Sequence, residues 1–319
     1  MRLLSLAFAI FAAAFGTLGH AQAWPDKPIR FVVAAGPGSS LDTLARVIGD
    51  KLKDRLGQPI VVENKPAAGG TVATAEVAKA APDGYTMLLG FNGPLAFGPL
   101  LQKLSYDVQK DLAPVIITTS QPNVLAVNAA LPVKSLAELV AYAKANPGKL
   151  NYASVGNGSS SHLNMELLKS IAGFDALHVP FNGSPPAVTA TVQGETQMMF
   201  AVMQPLQPQI QAGKLRALAV TTAKRFPLLP ELPAIAETYP GSEALAWNGI
   251  MVPAGTPKPV IAKLNAEINA ILKQPDVVQK MNAQGFDLIG GAPEDLGNLI
   301  RRETDTWAPV IRKLGLKVD

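Results

Sequence analysis

The sequence of 319 residues contains no cysteine and only three histidines. The lack of cysteine excludes a disulfide framework, a thiolate nucleophile, an iron–sulfur cluster and a lipid anchor attached to cysteine. His162 and His178, the histidines beyond the N-terminal segment, are isolated and lack the spacing that holds a metal ion. We therefore expect no metal site and no cofactor.

Charged residues are also scarce, at 16% of the chain, and the net charge is only +4. No run of like charges stands out, and no basic stripe alternates with aromatic residues. These absences argue against a nucleic-acid partner, although the pI is about 9.2. The hydrophobic fraction of 48% is high enough to exclude intrinsic disorder.

Residues 1–23 have the parts of a secretory signal peptide. Arg2 gives a short basic segment, residues 3–15 are apolar, and residues 21–23 form an Ala-x-Ala cleavage site. A membrane anchor is the alternative, but the apolar stretch is short and no stop-transfer segment follows it. We expect removal of residues 1–23 on export, and no later stretch is apolar and long enough to embed the mature chain in a membrane.

Short apolar runs alternate with helical periodicity along the rest of the chain, which predicts an α/β fold built from βαβ units with parallel strands. At roughly 150 residues per domain, the length suggests two domains. The predicted strands cover 28–35, 59–63, 85–90, 124–127, 150–154, 177–181, 197–202, 215–221 and 245–252. The clearest predicted helices cover 41–56, 71–81, 135–145, 162–172, 259–272 and 294–314, and the proline-rich 225–241 is predicted to be a long connection.

Two similar loops, residues 36–42 (GPGSSLD) and 156–162 (GNGSSSH), each follow a strand and open a helix. Glycines let the backbone approach a ligand, and the start of a helix offers unpaired N–H groups and about half a positive charge. Such loops bind carboxylates or phosphates without lysine or arginine. The alternative is that each is only a capped turn, and we expect Asp42 to organise its loop rather than touch a ligand. Neither loop matches a nucleotide-binding motif.

Catalysis is not expected. No Gly-x-Ser-x-Gly sequence is present. Ser161 and His162 are neighbours, but adjacent side chains on a helix diverge by about 100°, which prevents a serine–histidine hydrogen bond. We expect His162 and His178 to have structural roles.

Several motifs together carry a family resemblance. They are 36–46, 56–70 with its ENKPAAGG, 81–86 (APDGYT), 156–163, 179–184 (VPFNGS), 213–220 and 253–257 (PAGTP). The chain resembles the periplasmic solute-binding receptors of tripartite tricarboxylate transporters, also called the Bug family, over essentially the whole mature sequence.

This resemblance implies a two-domain, periplasmic-binding-protein-like fold of type II, a Venus flytrap with two hinge crossings. Residues 24–121 plus 247–319 would form domain 1, and residues 122–246 domain 2. The mature protein would reside in the periplasm, bind a small carboxylate and deliver it to a two-component membrane permease. The expected partners are thus a small-molecule ligand and that permease.

The resemblance also implies which residues bind the ligand. They are Gly38, Ser39 and Ser40 in one jaw, Ser159, Ser160 and Ser161 in the other, and Asn182, Gly183 and Ser184 in a third loop. Phe91, Asn92 and Met203 complete the predicted site, where Phe91, Phe181 and Met203 would form an apolar wall or, alternatively, belong to the core.

The chain departs from the family pattern in ways that bear on the ligand. Ser39 replaces a glycine. Ala201 and Val202 stand where many members have an acidic residue, so an amino group would lack its partner. We expect a dicarboxylate with an apolar or aromatic body. Two alternatives remain open: a periplasmic sensor that presents its ligand to a signalling kinase, and a hydrolase that uses a loop serine.

Overall fold

The computed structural model describes residues 24–317, so the predicted signal peptide lies outside the described residues. The strands are β1 (Ile29–Val33), β2 (Ile60–Asn64), β3 (Thr86–Phe91), β4 (Leu112–Gln121), β5 (Val124–Asn128), β6 (Asn151–Ser154), β7 (Leu177–Pro180), β8 (Met198–Ala201), β9 (Leu215–Val220), β10 (Ala246–Pro253) and β11 (Leu288–Gly290). The α-helices are α1 (Ser40–Leu56), α2 (Thr71–Ala78), α3 (Gly98–Leu101), α4 (Val108–Asp111), α5 (Leu136–Ala145), α6 (Ser160–Ala172), α7 (Ser184–Gln193), α8 (Met203–Gln211), α9 (Lys258–Leu272), α10 (Pro275–Asn282) and α11 (Pro293–Leu314). Short 3₁₀ turns cover Ala68–Gly70 and Ile235–Glu237, and a π-helix covers Gly93–Phe97.

The strands form two sheets, and each sheet is the centre of one lobe. The larger sheet has the order β11-β4-β10-β3-β1-β2, and the smaller has the order β7-β6-β8-β5-β9. The chain therefore leaves the large lobe after Gln121 and returns to it between Val220 and Ala246. Two crossings agree with the architecture that the resemblance implies.

The prediction of parallel strands is correct only within part of each sheet. β1 is parallel to β2 and β3, and β6 is parallel to β7 and β8. In contrast, β10 is antiparallel to β3 and β4, β11 to β4, and β5 to β8 and β9. The crossings explain the antiparallel direction of β10, because β10 begins at the edge of the sheet where β3 and β4 end.

Strand β4 is the largest element that the sequence pattern missed. Pro114 lies within β4 and cannot donate a hydrogen bond to a neighbouring strand. A proline in this position is typical of a connection rather than of a central strand. The sheet accommodates Pro114 opposite Met251, beside a register shift in β10. Helix α10 and the π-helix were also not predicted, whereas α1 ends at a left-handed Gly57, as its sequence indicates.

Each lobe has its own buried core, with one contact between them that matters for the site. Leu44, Ile48 and Leu52 of α1 are fully buried against the large sheet. Leu163 of α6, although it belongs to the small lobe, is fully buried in a large-lobe cluster that includes Phe97 and Leu101. No helix among residues 24–317 combines the length and the hydropathy needed to cross a membrane.

Candidate functional site

A cavity lies between the two lobes, where the ends of several strands meet. Eight of the predicted site residues line it: Ser39, Ser40, Phe91, Asn92, Ser160, Asn182, Gly183 and Ser184. The remaining wall comes from Ala34, Ala35, Leu41, Pro66, Gly69, Gly70, Gln121, Asn123, Val155, Ala201, Val202, Ala246, Trp247 and Asn248. Loops at the helix starts of both lobes therefore face one space.

The first loop is folded around its own side chains. Ser39 caps α1, and its Oγ accepts a hydrogen bond of 3.2 Å from the Asp42 amide. The Asp42 carboxylate accepts a hydrogen bond of 2.9 Å from the Gly38 amide, and Arg46 pairs with the same carboxylate. Asp42 thus organises the loop, as predicted.

The second loop repeats this geometry almost bond for bond. Ser159 caps α6 with backbone angles close to those of Ser39, and its Oγ accepts from the His162 amide at 3.3 Å. The Gly158 amide donates to His162 Nδ1 at 3.2 Å, in the place where Gly38 donates to Asp42. An imidazole nitrogen here replaces a carboxylate as the internal acceptor of the loop.

These caps leave the first turn of each helix with unpaired donors. The amides of Ser40 and Leu41 in α1, and of Ser160 and Ser161 in α6, have no acceptor within residues 24–317. The Ser40 and Ser160 hydroxyls line the cavity and make no hydrogen bond to any described residue. Each jaw can therefore offer backbone N–H groups, one hydroxyl and the positive end of a helix dipole to an anion.

A third helix, α7, also starts at the cavity. Its cap is Gly183, whose φ of 104° suits glycine, and no side chain caps the helix. Pro185 and Pro186 follow Ser184, so two of the amides in the first turn are absent. This loop therefore provides fewer donors than the other two.

Gly69 lies where the lobes come closest. A Cβ atom built on Gly69 would lie 2.5 Å from the Asn157 carbonyl oxygen of the opposite lobe, and its φ is +61°. Only glycine fits this approach. The Gly69-Gly70 pair is part of the resemblance, but sequence reasoning gave it no role in the site.

Four predicted residues do not line the cavity. Gly38 turns the chain with a φ of 76°, and Ser159 is fully buried, with its hydroxyl donating to the Gly156 carbonyl. The Ser161 hydroxyl donates to the Phe200 carbonyl at 2.6 Å, which ties α6 to β8. Met203 packs in the small-lobe core. These four residues lie outside the cavity lining and support the elements that form it.

The apolar lining of the cavity differs in composition from the predicted wall. Phe91 lines the cavity, whereas Phe181 packs beside the small-lobe cluster that contains Met203. Phe181 and Met203 thus pack with the small-lobe core and lie outside the cavity lining. The rest of the apolar lining comes from other residues of both lobes, among them Leu41 and Trp247 of the large lobe and Val155 and Val202 of the small lobe.

Sequence reasoning missed three buried amide side chains in the cavity wall. Gln121 and Asn123 flank Pro122 at the first crossing, and Asn248 lies in β10, just after the second. The available signal was the placement of polar residues between apolar runs at a predicted domain boundary. Polar residues at a boundary are also typical of surface connections, so this signal alone does not indicate a ligand site.

The electrostatics of the site depend on helix ends rather than on side-chain charge. The described cavity lining contains no Asp, Glu, Lys, Arg or His. Burial favours a higher pKa for Asp42, but hydrogen bonds from Arg46 and the Gly38 amide outweigh it, so the pKa lies below its usual value. Asp42 is thus an anion paired within its own loop.

Behind the second loop, three rings form a stack. His162 and His178 lie 4.1 Å apart between centroids and are nearly parallel, and Tyr152 stacks on the other face of His178 at 4.8 Å. Burial lowers the pKa of His162 to about 4. Burial, with the neighbouring His162 as the next cause, lowers the pKa of His178 to about 3. Both rings are therefore neutral at neutral pH, which His162 Nδ1 requires in order to accept a hydrogen bond.

Ser154 and His178 form a serine–histidine contact of 2.6 Å, a pair that the sequence analysis did not consider. Ser154 is fully buried and outside the cavity lining, and its oxygen also accepts from the Gly156 amide. The pair holds the base of the second loop. Among the described residues, no cluster of three His, Cys, Asp or Glu side chains could hold a metal ion.

Two lobes, two crossings and a cavity at strand ends define the class of periplasmic binding proteins, and solved structures agree. The R. palustris protein Rpa4515 with adipate has a TM-score of 0.90 at 35% identity, covering 92% of this chain and 99% of that one. MatC from Rhodopseudomonas palustris with bound malate has a TM-score of 0.86 at 35% identity, covering 90% and 100%.

The family model described as "Tripartite tricarboxylate transporter family receptor" matches residues 44–316, and the chain belongs to this family of periplasmic solute-binding receptors. Protein BugT of Bordetella pertussis, strain Tohama I, is 38% identical over 322 residues, which cover 99% of this chain and 98% of BugT. The resemblance seen in the sequence is thereby confirmed.

Proposed function

We propose that this receptor captures a small dicarboxylate with an apolar or aromatic body between its lobes and delivers it to a membrane transporter. One observation carries the proposal: two loops of the same geometry face one cavity and offer unpaired amides and the hydroxyls of Ser40 and Ser160. A carboxylate between them would receive hydrogen bonds from both lobes. Hydrogen bonds to an anion are roughly twice as strong as those between neutral groups.

The choice of a dicarboxylate rests on the wall and on the relatives. The apolar residues Phe91, Ala34 and Ala201 suit a hydrocarbon body. Ala201 and Val202 provide no carboxylate for an amino group, which disfavours an amino acid. Rpa4515 was solved with adipate and MatC with malate, and each of these ligands carries two carboxylates.

Capture would proceed by closure. The proposed domains are 24–121 plus 247–319 and 122–246, and the division of the chain between the two sheets supports these boundaries. An anion would first bind the loop of one open jaw. Closure would then add the second loop and exclude water, which strengthens the remaining electrostatic interactions.

Delivery requires export and a partner. We infer that residues 1–23 direct the chain to the periplasm, and that the closed form is recognised by a two-component permease of the tripartite tricarboxylate type. Deletion of the gene should abolish uptake of the ligand. Loss of a transcriptional response with unchanged uptake would instead indicate a sensor.

The test of ligand class is thermal unfolding of residues 24–319 with a panel of mono-, di- and tricarboxylates. A ligand at 100 times its dissociation constant stabilises the folded state by about 2.7 kcal/mol. For a chain of this size we expect an increase of a few degrees in the melting temperature with a dicarboxylate. The absence of any shift across the whole panel would contradict the proposal.

A further inference from the structure

Part of the cavity wall is made of amide side chains that do not belong to the two anion-binding loops. Asn92, Gln121, Asn123 and Asn248 all line it and are 1%, 2%, 2% and 3% exposed. Four neutral polar side chains this deeply buried in one wall need partners, because buried polar groups in proteins are almost always hydrogen-bonded.

Strand register places these amides together. Asn248 pairs with Thr119 of β4 and Phe91 of β3, and Ala246 pairs with Gln121. Residues two apart on a strand share a face, so Gln121 and Asn248 lie on the same face of the sheet. Asn123 follows two residues after Gln121, and its backbone N–H donates a 3.0 Å hydrogen bond to Thr221 Oγ1.

The hydrogen bonds of these side chains are incomplete. Asn248 donates to Thr119 Oγ1 at 2.7 Å, and Asn92 donates to the Leu245 carbonyl at 2.9 Å. Asn92 Oδ1, Gln121 Oε1 and Asn123 Nδ2 have no partner in the described part of the chain. Asn123 Nδ2 is already an unpartnered donor among the described residues. A 180° rotation of the Gln121 side-chain amide exchanges its O and N atoms, so Gln121 can also present an NH₂ group to the cavity.

We propose that Gln121 and Asn123, supported by Asn92 and Asn248, bind the second carboxylate of an α,ω-dicarboxylate. This inference rests on the proposed function, in which the first carboxylate binds the loops at Ser40 and Ser160. Amide NH₂ groups are neutral donors, and donors of this kind suit a carboxylate in a lining that has no cationic side chain. Contact at Gln121 and Asn123 would also place the ligand against the first crossing between the lobes.

The experiment compares matched ligand pairs by calorimetry. Straight-chain dicarboxylates from malonate to pimelate are each paired with the monocarboxylate of the same carbon number. We expect at least one dicarboxylate to bind about tenfold or more tightly than its monocarboxylate partner. In the near-isosteric variants Gln121→Met and Asn123→Leu, this ratio should fall about fivefold or more, with little change for the monocarboxylate.

Two further variants keep the test decisive. Gln109→Met makes the same chemical change at an exposed position of α4 and should leave the ratio unchanged. Gln121→Glu keeps the side-chain shape and should repel the second carboxylate, which weakens dicarboxylates more than monocarboxylates. If both members of every pair bind equally, or the ratio is unaffected by Gln121 and Asn123, this inference is overturned, and capture of a carboxylate by the loops at Ser40 and Ser160 stands. If no carboxylate binds, in this series or in the wider panel of the thermal test, both are overturned.

Discussion

Asp42 and His162 occupy equivalent positions in the two loops and accept the same kind of hydrogen bond from a glycine amide. The first is a carboxylate paired with Arg46, and the second is a neutral, buried imidazole. Neither acceptor lines the cavity, and neither does the glycine that donates to it. At the scale of single residues, each loop is therefore held by an internal acceptor outside the cavity lining.

Substitution of Ser40 and Ser160 tests whether the hydroxyls of the two loops bind the ligand. We expect Ser40→Ala and Ser160→Ala each to weaken binding of the ligand by roughly 1–2 kcal/mol, because each removes one hydroxyl donor to the anion. Calorimetry on the purified variants measures this change.

Ser161→Ala is the matched control, since the Ser161 hydroxyl is occupied by the Phe200 carbonyl. It should alter stability more than affinity. Unchanged affinity in both of the other variants would remove these hydroxyls from the site, although not the backbone amides beside them.

His162 makes stability depend on pH. Burial lowers the pKa of His162 from its ordinary value of 6.5 to about 4 in the folded protein. As pH falls below 6.5, the unfolded chain takes up a proton and the folded chain does not, so stability falls until pH is near 4. The loss is on the order of 3 kcal/mol.

Denaturant unfolding at pH 7, 5.5 and 4.5 measures this loss. His162→Asn removes the titration and keeps an acceptor for the Gly158 amide, as Asp42 does for Gly38. We expect a smaller loss of stability in this variant than in the wild type. Equal pH dependence of the two proteins would show that His162 does not titrate in this way.

At the scale of elements, the loops rather than the helices decide how closely the lobes meet. Gly69 approaches the Asn157 backbone, and a Cβ on Gly158 would lie 2.8 Å from Leu101 of the large lobe. Both contacts involve the segments that precede α2 and α6. These two glycines therefore allow the backbones of the two lobes to approach each other closely.

Gly69→Ala tests this close approach of the two lobes. The added Cβ collides with a backbone oxygen that cannot move independently of its loop, so we expect binding to weaken about tenfold or more while both lobes stay folded. Gly213→Ala is the control, because its φ of +67° is similar and nothing lies within 4 Å of the added atom. It should cost about 1–2 kcal/mol of stability and leave affinity unchanged. Similar affinity in the two variants would contradict the proposed role of Gly69.

At the scale of the whole molecule, an apolar contact connects the lobes through helix α6. Leu163 of the small lobe is fully buried among large-lobe residues that include Phe97 and Leu101. In the proposed closure, this contact would form as the lobes come together, so its burial would favour the closed form. Ligand binding and lobe closure should therefore be coupled through α6, which carries both Ser160 and Leu163.

Leu163→Ala should weaken this coupling. Truncation of a buried leucine costs about 2–5 kcal/mol, and here part of that cost falls on the closed form alone. We expect about tenfold weaker ligand binding and a larger radius of gyration by small-angle scattering. Leu168→Ala removes a buried leucine inside the small-lobe core, so it should lower stability without changing affinity. Equal affinities of the two variants would show that Leu163 does not act between the lobes.

The sequence by itself determined the family, the alternation of strands and helices, and the two capped loops, because these depend on short-range signals. Gly57, Ser39 and Asp42 act within a few residues of themselves, so local chemistry fixed their roles. Only the tertiary structure decided which loop side chains face the cavity. Ser160 and Ser161 are adjacent, yet the register of α6 against β8 directs only Ser160 into the cavity lining.

The tertiary structure also decided the direction of the strands and the composition of the cavity wall. Pro114 makes the sequence pattern of β4 unlike that of a strand. The sheet accommodates this proline because a register shift in β10 lies beside it. Gln121 and Asn248 are far apart in sequence and share a wall only because β4 and β10 pair after the chain has crossed twice between the lobes. Pairing of that kind depends on long-range packing, which no local sequence signal reports.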